Sequence, residues 1–104
     1  MAKYLLTYHG VMEPMSDDPE VVEAVMAEWG AWFGSMGEAV VDGGNPIIRA
    51  TAISPDGAVV EAPASLSGYT IVSADDLAGA AALAKGCPVL KNGHTVQISE
   101  TIEM

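Results

Sequence analysis

The sequence predicts one α+β domain whose elements run strand, helix, strand, strand, helix, strand. Three observations lead to this prediction: an unbroken apolar run near the start, two segments with helix start and stop signals, and a turn signal between two β-branched runs. The chain has 104 residues, which fits a single domain and leaves no room for a second core. We therefore expect residues 1–104 to form one domain.

The first strand is predicted over residues 3–9, which are aromatic and aliphatic without a breaker. Side chains alternate between the two faces of a strand, so Tyr4, Leu6 and Tyr8 share one face and His9 lies on the other. The stretch between this strand and the first helix is predicted as a loop.

The first helix is predicted to begin at Pro19, with Asp17 or Asp18 as its N-cap, and to end at a glycine. Gly30 and Gly34 lie four residues apart on one side of this helix, so we expect another backbone to approach that side closely. The apolar residues that recur at helical spacing form a wide stripe: Val22, Val25, Met26, Trp29, Trp32, Phe33 and Met36.

The middle of the chain is predicted to form a β-hairpin after a loop. Residues 38–46 end in Asp-Gly-Gly-Asn-Pro, which is a strong loop signal. Residues 47–53 and 58–61 are predicted as two paired strands, because the Pro-Asp-Gly sequence between them suits a tight turn.

The last third of the chain is predicted to form a strand, a helix and a final strand. Residues 68–73 are the fourth predicted strand. Ser73 and Asp76 match an S-x-x-D capping box before an alanine-rich helix over residues 77–85. Alternating apolar and polar residues predict a half-buried strand over residues 96–104.

Two strand–helix–strand units around a hairpin predict the ferredoxin-like βαββαβ arrangement, an antiparallel sheet with both helices on one face. Several strands carry apolar residues on both sides, so the second face of the sheet also needs a cover. No element of a chain this short is left to provide it. We therefore expect a homodimer in which two sheets pack face to face as a dimeric α+β barrel.

The composition limits the partners and the location of the chain. Its net charge is −10, which repels nucleic-acid backbones and anionic membranes, so neither is expected as a partner. The single cysteine, Cys87, cannot form an intramolecular disulfide and no signal peptide is apparent, so a cytoplasmic location is predicted. His9 and His94 have no Cys or acidic ligand at metal-site spacing, so no metal or other cofactor is expected; His94 is expected to be exposed.

His9 is the best single candidate for catalysis, because histidine transfers protons near neutral pH and a side chain at a strand end can face a cleft. The alternative is a structural histidine, hydrogen-bonded at the strand end. Asp42 is the predicted partner that orients the imidazole, although Asp-Gly-Gly also favours a turn held by the aspartate side chain.

Five further residues are predicted to bind a substrate or ligand. The backbone amides of Gly43, Gly44 and Asn45 are expected to hold an anionic group. Trp29 is expected to line a pocket for a planar ligand, and Tyr69 to donate its hydroxyl to that ligand. Both aromatic residues also suit an ordinary place in the core.

Five segments of the chain carry a family resemblance: KYLLTYHG, WGAWF, VVDGGNP, SPDG and AKGCPVL. In this order they resemble the YCII-related, or DGPF-domain, family over nearly the whole chain. The resemblance implies a ferredoxin-like dimeric α+β barrel and, for a few members, small-molecule conversions such as dehalogenation. The chain departs from the family twice: residues 61–64 are EAPA in place of DGPF, and the first helix lacks the histidine that pairs with an aspartate in YCII-type members.

Two functions follow as hypotheses. The first is a cofactor-independent enzyme that performs acid–base chemistry on a small molecule in a cleft near His9 and Asp42. The second is a non-catalytic dimeric module for ligand binding or regulation.

Overall fold

The computed structural model describes residues 2–11 and 16–103. Its elements, in chain order, are β1 (Ala2–His9), α1 (Pro19–Met36), β2 (Val40–Asp42), β3 (Ala52–Ile53), β4 (Val59–Val60), β5 (Leu66–Ala74), α2 (Leu77–Ala84) and β6 (Thr95–Glu100). Short 3-10 helices follow α1 and α2, at Gly37–Ala39 and Pro88–Asn92. Residues 12–15 of the predicted first loop, and residue 104 of the predicted last strand, lie outside the described residues. None of the helices in the described ranges has the length and apolar character needed to cross a membrane.

Four strands form one antiparallel sheet in the order β2-β5-β1-β6. Its two central strands are the long ones, and Leu6 of β1 lies between Thr70 of β5 and Ile98 of β6. The α+β class and the antiparallel sheet with two helices are therefore confirmed. The strand order is compatible with a ferredoxin-like fold.

Both helices cover the same face of this sheet. Tyr4, Leu6 and Tyr8 are buried, as the alternation in β1 predicts, and they form one cluster with buried residues of α1 and α2. Trp32 joins the two helices directly, since its Nε1 donates to the carbonyl of Leu83 at 2.9 Å. The core consists of Tyr4, Leu6, Tyr8, Trp32, Met36, Val72, Ala74, Ala80, Ala84, Cys87 and Val89.

The predicted hairpin forms, but it does not belong to the main sheet. Val40–Asp42, predicted as part of a loop, supplies the outer strand instead, and Val40 packs against the core opposite Val72. The predicted strands shorten to β3 and β4, which pair only with each other through Ala52–Val60 and Ile53–Val59. We call residues 47–61 the arm.

The physical reason for this correction lies in burial. Val40 follows α1 at the point where the chain returns to the core, so its side chain is partly buried there. Ile48, Ile53 and Val59 of the arm are exposed. A pattern of β-branched residues predicts a strand without deciding which sheet it joins.

The start of α1 selects one of the two predicted caps. The Asp18 carboxylate accepts from the Glu20 amide at 2.9 Å, and Asp17 is not the N-cap. The expected close backbone beside Gly30 and Gly34 is wrong within the described chain, because a Cβ added at either position meets nothing within 4 Å. The apolar stripe is also narrower than predicted, since only Trp32 and Met36 of α1 are buried.

The start of α2 differs from the predicted capping box. Asp76 is the N-cap and accepts from the Gly79 amide at 2.7 Å, whereas Ser73 still belongs to β5. Strand pairing extends as far as Ala2 opposite Ala74, so the helix cannot start earlier. The last strand also ends sooner than predicted, at Glu100, and Ile102 is exposed.

The sheet face opposite the helices stays open in the single chain. Its central side chains are half-buried or exposed and carry no charge: Leu5, Thr7, Tyr69, Ile71, Ser73, Gln97 and Ser99. The molecule is correspondingly flat, with extents of 45 × 39 × 19 Å.

Candidate functional site

His9 ends β1 on the open face of the sheet. Its Nε2 lies 3.0 Å from Oγ1 of Thr7, two residues earlier on the same face, and the pair is partly buried. Within the described residues, the imidazole of His9 thus hydrogen-bonds to the neutral hydroxyl of Thr7. This arrangement matches the structural alternative for His9 and still leaves the ring partly accessible.

Asp42 lies elsewhere on the sheet. It is exposed, and its carboxylate accepts from the Gly44 amide at 2.8 Å, which is the predicted turn. Asp42 pairs with Ile71, whereas His9 pairs with Leu66 on the far side of the same strand. Five residues along β5 and two strand spacings separate them by roughly 15–20 Å. Within one chain, His9 and Asp42 do not form a pair.

The loop of Gly43, Gly44 and Asn45 is bound to the sheet edge. The Gly43 carbonyl accepts from Thr70 Oγ1 at 3.0 Å, and the Asn45 carbonyl accepts from the Tyr69 amide at 3.4 Å. Gly44 has φ +75°, and a Cβ there would lie 1.7 Å from the Tyr69 carbonyl oxygen. The Gly44 amide already donates to the Asp42 carboxylate. The loop therefore has fewer backbone amides for an external anion than the sequence suggested.

Trp29 and Tyr69 do not line one cavity. The Trp29 ring packs against Tyr8 at 5.7 Å and Phe33 at 5.9 Å between ring centroids, on the helix-covered face. Tyr69 lies on the open face, because Gly68 and Thr70 beside it are buried on the other. The sheet therefore separates the two predicted ligand contacts.

A buried polar cluster lies beneath Trp29. The Tyr8 hydroxyl bonds to that of Thr70, which donates to the Gly43 carbonyl. Burial raises the pKa of Tyr8 well above its ordinary 10.0, although the Thr70 bond lowers it slightly. Burial also raises the pKa of the Cys87 thiol, despite bonds from the Val89 amide and Tyr8 that lower it. These groups hold the core together and are protected from solvent.

His94 occupies a different position from the one predicted. It is half-buried, not exposed, and its Nδ1 lies 3.0 Å from Oγ of Ser67. The Ser67 Oγ also lies 3.3 Å from the Tyr8 carbonyl, to which it donates. The ring covers Gly10, where an added Cβ would come within 2.6 Å of the imidazole. The Asn-Gly turn before His94 suggested exposure, but the pairing of β6 with β1 returns it to the sheet.

A shallow groove of about 280 Å³ lies beside Gly10, between the end of β1 and the base of the arm. Arg49 lines it and is the only arginine of the chain. In residues 2–11 and 16–103, ion pairs join Lys3 to Glu103 and Lys91 to Glu28, and none involves Arg49. The other lining residues are Gly10, Val11, Ile47, Ile48, Ala50, Glu61, Ala62, Ala64, Ser65 and Leu66.

Sequence reasoning missed Arg49, Ser67 and His94 as members of one region. One signal was available, because a lone arginine in a chain of net charge −10 is conspicuous. Their convergence depends on strand pairing, which brings the end of β1, the start of β5 and the start of β6 to the same edge. Across the described residues, no three His, Cys, Asp or Glu side chains are grouped to hold a metal ion.

Comparison with known proteins gives no match for this chain to a family model, to a curated protein or to a solved structure.

Proposed function

We propose that this protein is a homodimer that binds a small molecule carrying a carboxylate, in the groove between the end of β1 and the arm. The observation that carries the proposal is the position of Arg49, the one arginine, in the lining of that groove. A guanidinium without an ion-pair partner among the described residues is available to an external anion.

The chemistry of the groove favours a monocarboxylate over a more highly charged ligand. A guanidinium binds a carboxylate through two parallel hydrogen bonds, which fix its orientation. Glu61 lines the same groove, and the chain carries a net charge of −10, so a phosphate or a polyanion meets stronger repulsion. The apolar lining from Ile47, Ile48 and Leu66 suits the hydrocarbon part of such a molecule.

Acid–base catalysis at His9 is the second candidate. His9 ends the strand that leads into the groove through Gly10, and its imidazole is partly accessible. It would move a proton of a bound organic acid without help from Asp42 of the same chain. The His9–Thr7 hydrogen bond supplies its orientation in this proposal.

The homodimer in the proposal rests on the open face of the sheet. On this face Leu5, Tyr69 and Ile71 form a neutral centre, and the charged residues Lys3 and Asp42 lie at its margin. A neutral, partly apolar face is what two identical acidic subunits need in order to associate. Membership of the YCII-related family and a cytoplasmic location stay predictions.

Titration of ¹⁵N-labelled protein with sodium benzoate and with sodium pyruvate, followed by NMR, tests the binding site. Saturable shifts of the Gly10, Arg49 and Ser65 amides are expected with at least one of them, and benzamide, which lacks the carboxylate, should cause none. Arg49→Gln should weaken binding about tenfold, because the paired hydrogen bonds from the guanidinium to the carboxylate are lost.

Lys85→Gln is the matched control, since it removes the same charge from an exposed site at the end of α2. Equal loss of binding in both variants would mean that the loss comes from the change in net charge and that Arg49 does not contact the ligand. No saturable shift with either carboxylate would contradict the proposal. The His9 ring protons should shift with the bound acid if His9 acts on it, and should not move if the protein only binds.

A further inference from the structure

The arm exposes apolar surface that a single chain does not cover. Ile48, Ile53 and Val59 are 79%, 62% and 71% exposed. Ile53 and Val59 stand directly opposite each other on β3 and β4, so they form one apolar cross-strand pair facing solvent. An isolated two-stranded hairpin is at best marginally stable in water.

The arm is nevertheless a well-formed hairpin. The Ser54 amide donates to the Ala58 carbonyl at 2.9 Å, and the Gly57 amide donates back to Ser54 at 2.8 Å. The Asp56 carboxylate accepts from the Ala58 amide and from the Ser54 hydroxyl, and the hydroxyl bond lowers the pKa of Asp56. These bonds fix the turn and hold Ile53 and Val59 side by side.

The surface area of the chain indicates what covers the arm. Accessible surface totals 7176 Å². A compact monomer of 10.7 kDa exposes about 5,500 Å², so the excess is roughly 1,700 Å². The radius of gyration, 15.1 Å, likewise exceeds the roughly 13 Å of a compact domain of this length. Obligate homodimers bury about 1,000–2,500 Å² on each subunit, which matches the excess.

The charge of the arm also favours a second copy of the same chain. Residues 47–61 contain only Arg49, Asp56 and Glu61 as charged residues, in a chain of net charge −10. A basic partner would be attracted to the acidic parts of the surface, not to this segment. A nearly neutral apolar arm suits association of two acidic subunits, where each arm meets the same surface of its partner.

We infer that the arm packs against the second subunit of the homodimer and buries Ile48, Ile53 and Val59 there. This inference rests on the homodimer of the proposed function and adds a second contact beyond the open sheet face. It also places the base of the groove, including Arg49, at the edge of the interface.

Sedimentation equilibrium of the double variant Ile53→Thr/Val59→Thr tests the inference. Threonine keeps the strand preference of the arm and its charge, and both sites are exposed in the single chain, so the fold of the subunit is unaffected. The dimer dissociation constant should rise about tenfold or more, because apolar area is lost from the interface. The control Val21→Thr/Ile102→Thr removes the same residue types from exposed sites outside the arm and should leave the constant within about twofold.

Isotope-filtered NOEs in a mixed labelled and unlabelled dimer give a direct second measurement. Contacts from the Ile48, Ile53 and Val59 methyl groups to the partner subunit are expected. A dimer with intermolecular NOEs to Leu5 and Ile71 but none to the arm would overturn this inference and leave the proposed homodimer intact. A chain that stays monomeric at micromolar concentration would overturn both.

Discussion

At the residue scale, Gly44 is a position that no other residue can occupy without strain. Its φ is +75°, and an added Cβ would lie 1.7 Å from a backbone oxygen of Tyr69. Backbone atoms of a central strand cannot move aside cheaply. The glycine therefore allows the loop after β2 to lie flat against β5. The contact between this loop and β5 continues at the antiparallel bridge of Pro46 with Gly68.

Replacing Gly44 with Ala should destabilise the protein by about 3 kcal/mol or more, because left-handed backbone strain adds to the steric clash. Urea unfolding measures the free energy. Gly34→Ala is the matched control, since Gly34 lies in α1 with nothing within 4 Å of the added Cβ. That variant should be more stable than the parent by up to about 1 kcal/mol. Equal effects of the two variants would contradict the conclusion that the conformation and close packing of Gly44 require a glycine.

Tyr8 gives the stability of the chain a dependence on alkaline pH. Unfolded tyrosine ionises near pH 10.0, and burial raises the pKa of Tyr8 above that in the folded chain. Above pH 10 the unfolded state therefore binds fewer protons than the folded state. The contribution of Tyr8 to stability is fully present below pH 10 and falls as the pH rises above it. The slope from this residue is at most about 1.4 kcal/mol per pH unit.

Tyr8→Phe should remove this slope. Below pH 10 the variant should lose about 1 kcal/mol from the missing hydroxyl bond to Thr70. Above pH 10 the gap between parent and variant should narrow, as measured by urea unfolding at several pH values. The other tyrosines are present in both proteins, so the difference isolates Tyr8. Parallel pH profiles would show that Tyr8 titrates normally.

At the element scale, each helix begins where a carboxylate can accept from its first amides. Asp18 serves α1 and Asp76 serves α2. For α1 the sequence offered Asp17 as well as Asp18, and for α2 it predicted a capping box that begins at Ser73. For α2, β5 pairs up to Ala74, so Ser73 still lies in the strand and Asp76 is the N-cap.

Asp18→Ala should cost about 1 kcal/mol of stability, and Asp17→Ala should stay within about 0.5 kcal/mol of the parent. Only the first removes the acceptor of the Glu20 amide, while both remove the same negative charge near the start of α1. Thermal or urea unfolding of the pair measures the difference. Equal losses would mean that charge near the helix start matters and that the specific cap does not.

At the scale of the whole molecule, charge and shape oppose each other. A net charge of −10 favours separate chains, whereas the open sheet face and the arm leave apolar area uncovered. Among the described residues, the exposed ion pairs Lys3–Glu103 and Lys91–Glu28 contribute little to the stability of the subunit or to its association. Association of subunits is therefore expected to depend on salt.

Raising the ionic strength from 0.01 M to 0.1 M should tighten the proposed dimer about threefold or more. Screening shortens the Debye length from roughly 30 Å to about 10 Å and so reduces repulsion between the two acidic subunits. Sedimentation equilibrium at the two salt concentrations gives the dissociation constants. A dimer that weakens as salt is added would indicate an interface held by ion pairs instead of neutral surface.

The sequence by itself determined the α+β class, the two helices and the central strands. Their signals are local: the alternation in residues 3–9, the Asp-Pro start of α1 and the turn after Ser54 each depend on neighbours within a few residues. Such local preferences can be read without knowledge of the tertiary contacts, so the pattern was sufficient to predict these elements. The candidate site was harder to predict, since His9, Asp42 and Tyr69 were chosen by residue type and local position, without knowledge of their distances in space.

Only the tertiary structure decided which strands share a sheet and which side chains share a region. Val40 replaced the predicted hairpin at the sheet edge because it had a core to pack against, whereas Ile53 had none. Strand register separated His9 from Asp42 and brought His94 to Ser67. Both outcomes depend on contacts between residues distant in sequence, and local pattern carries no information about such contacts.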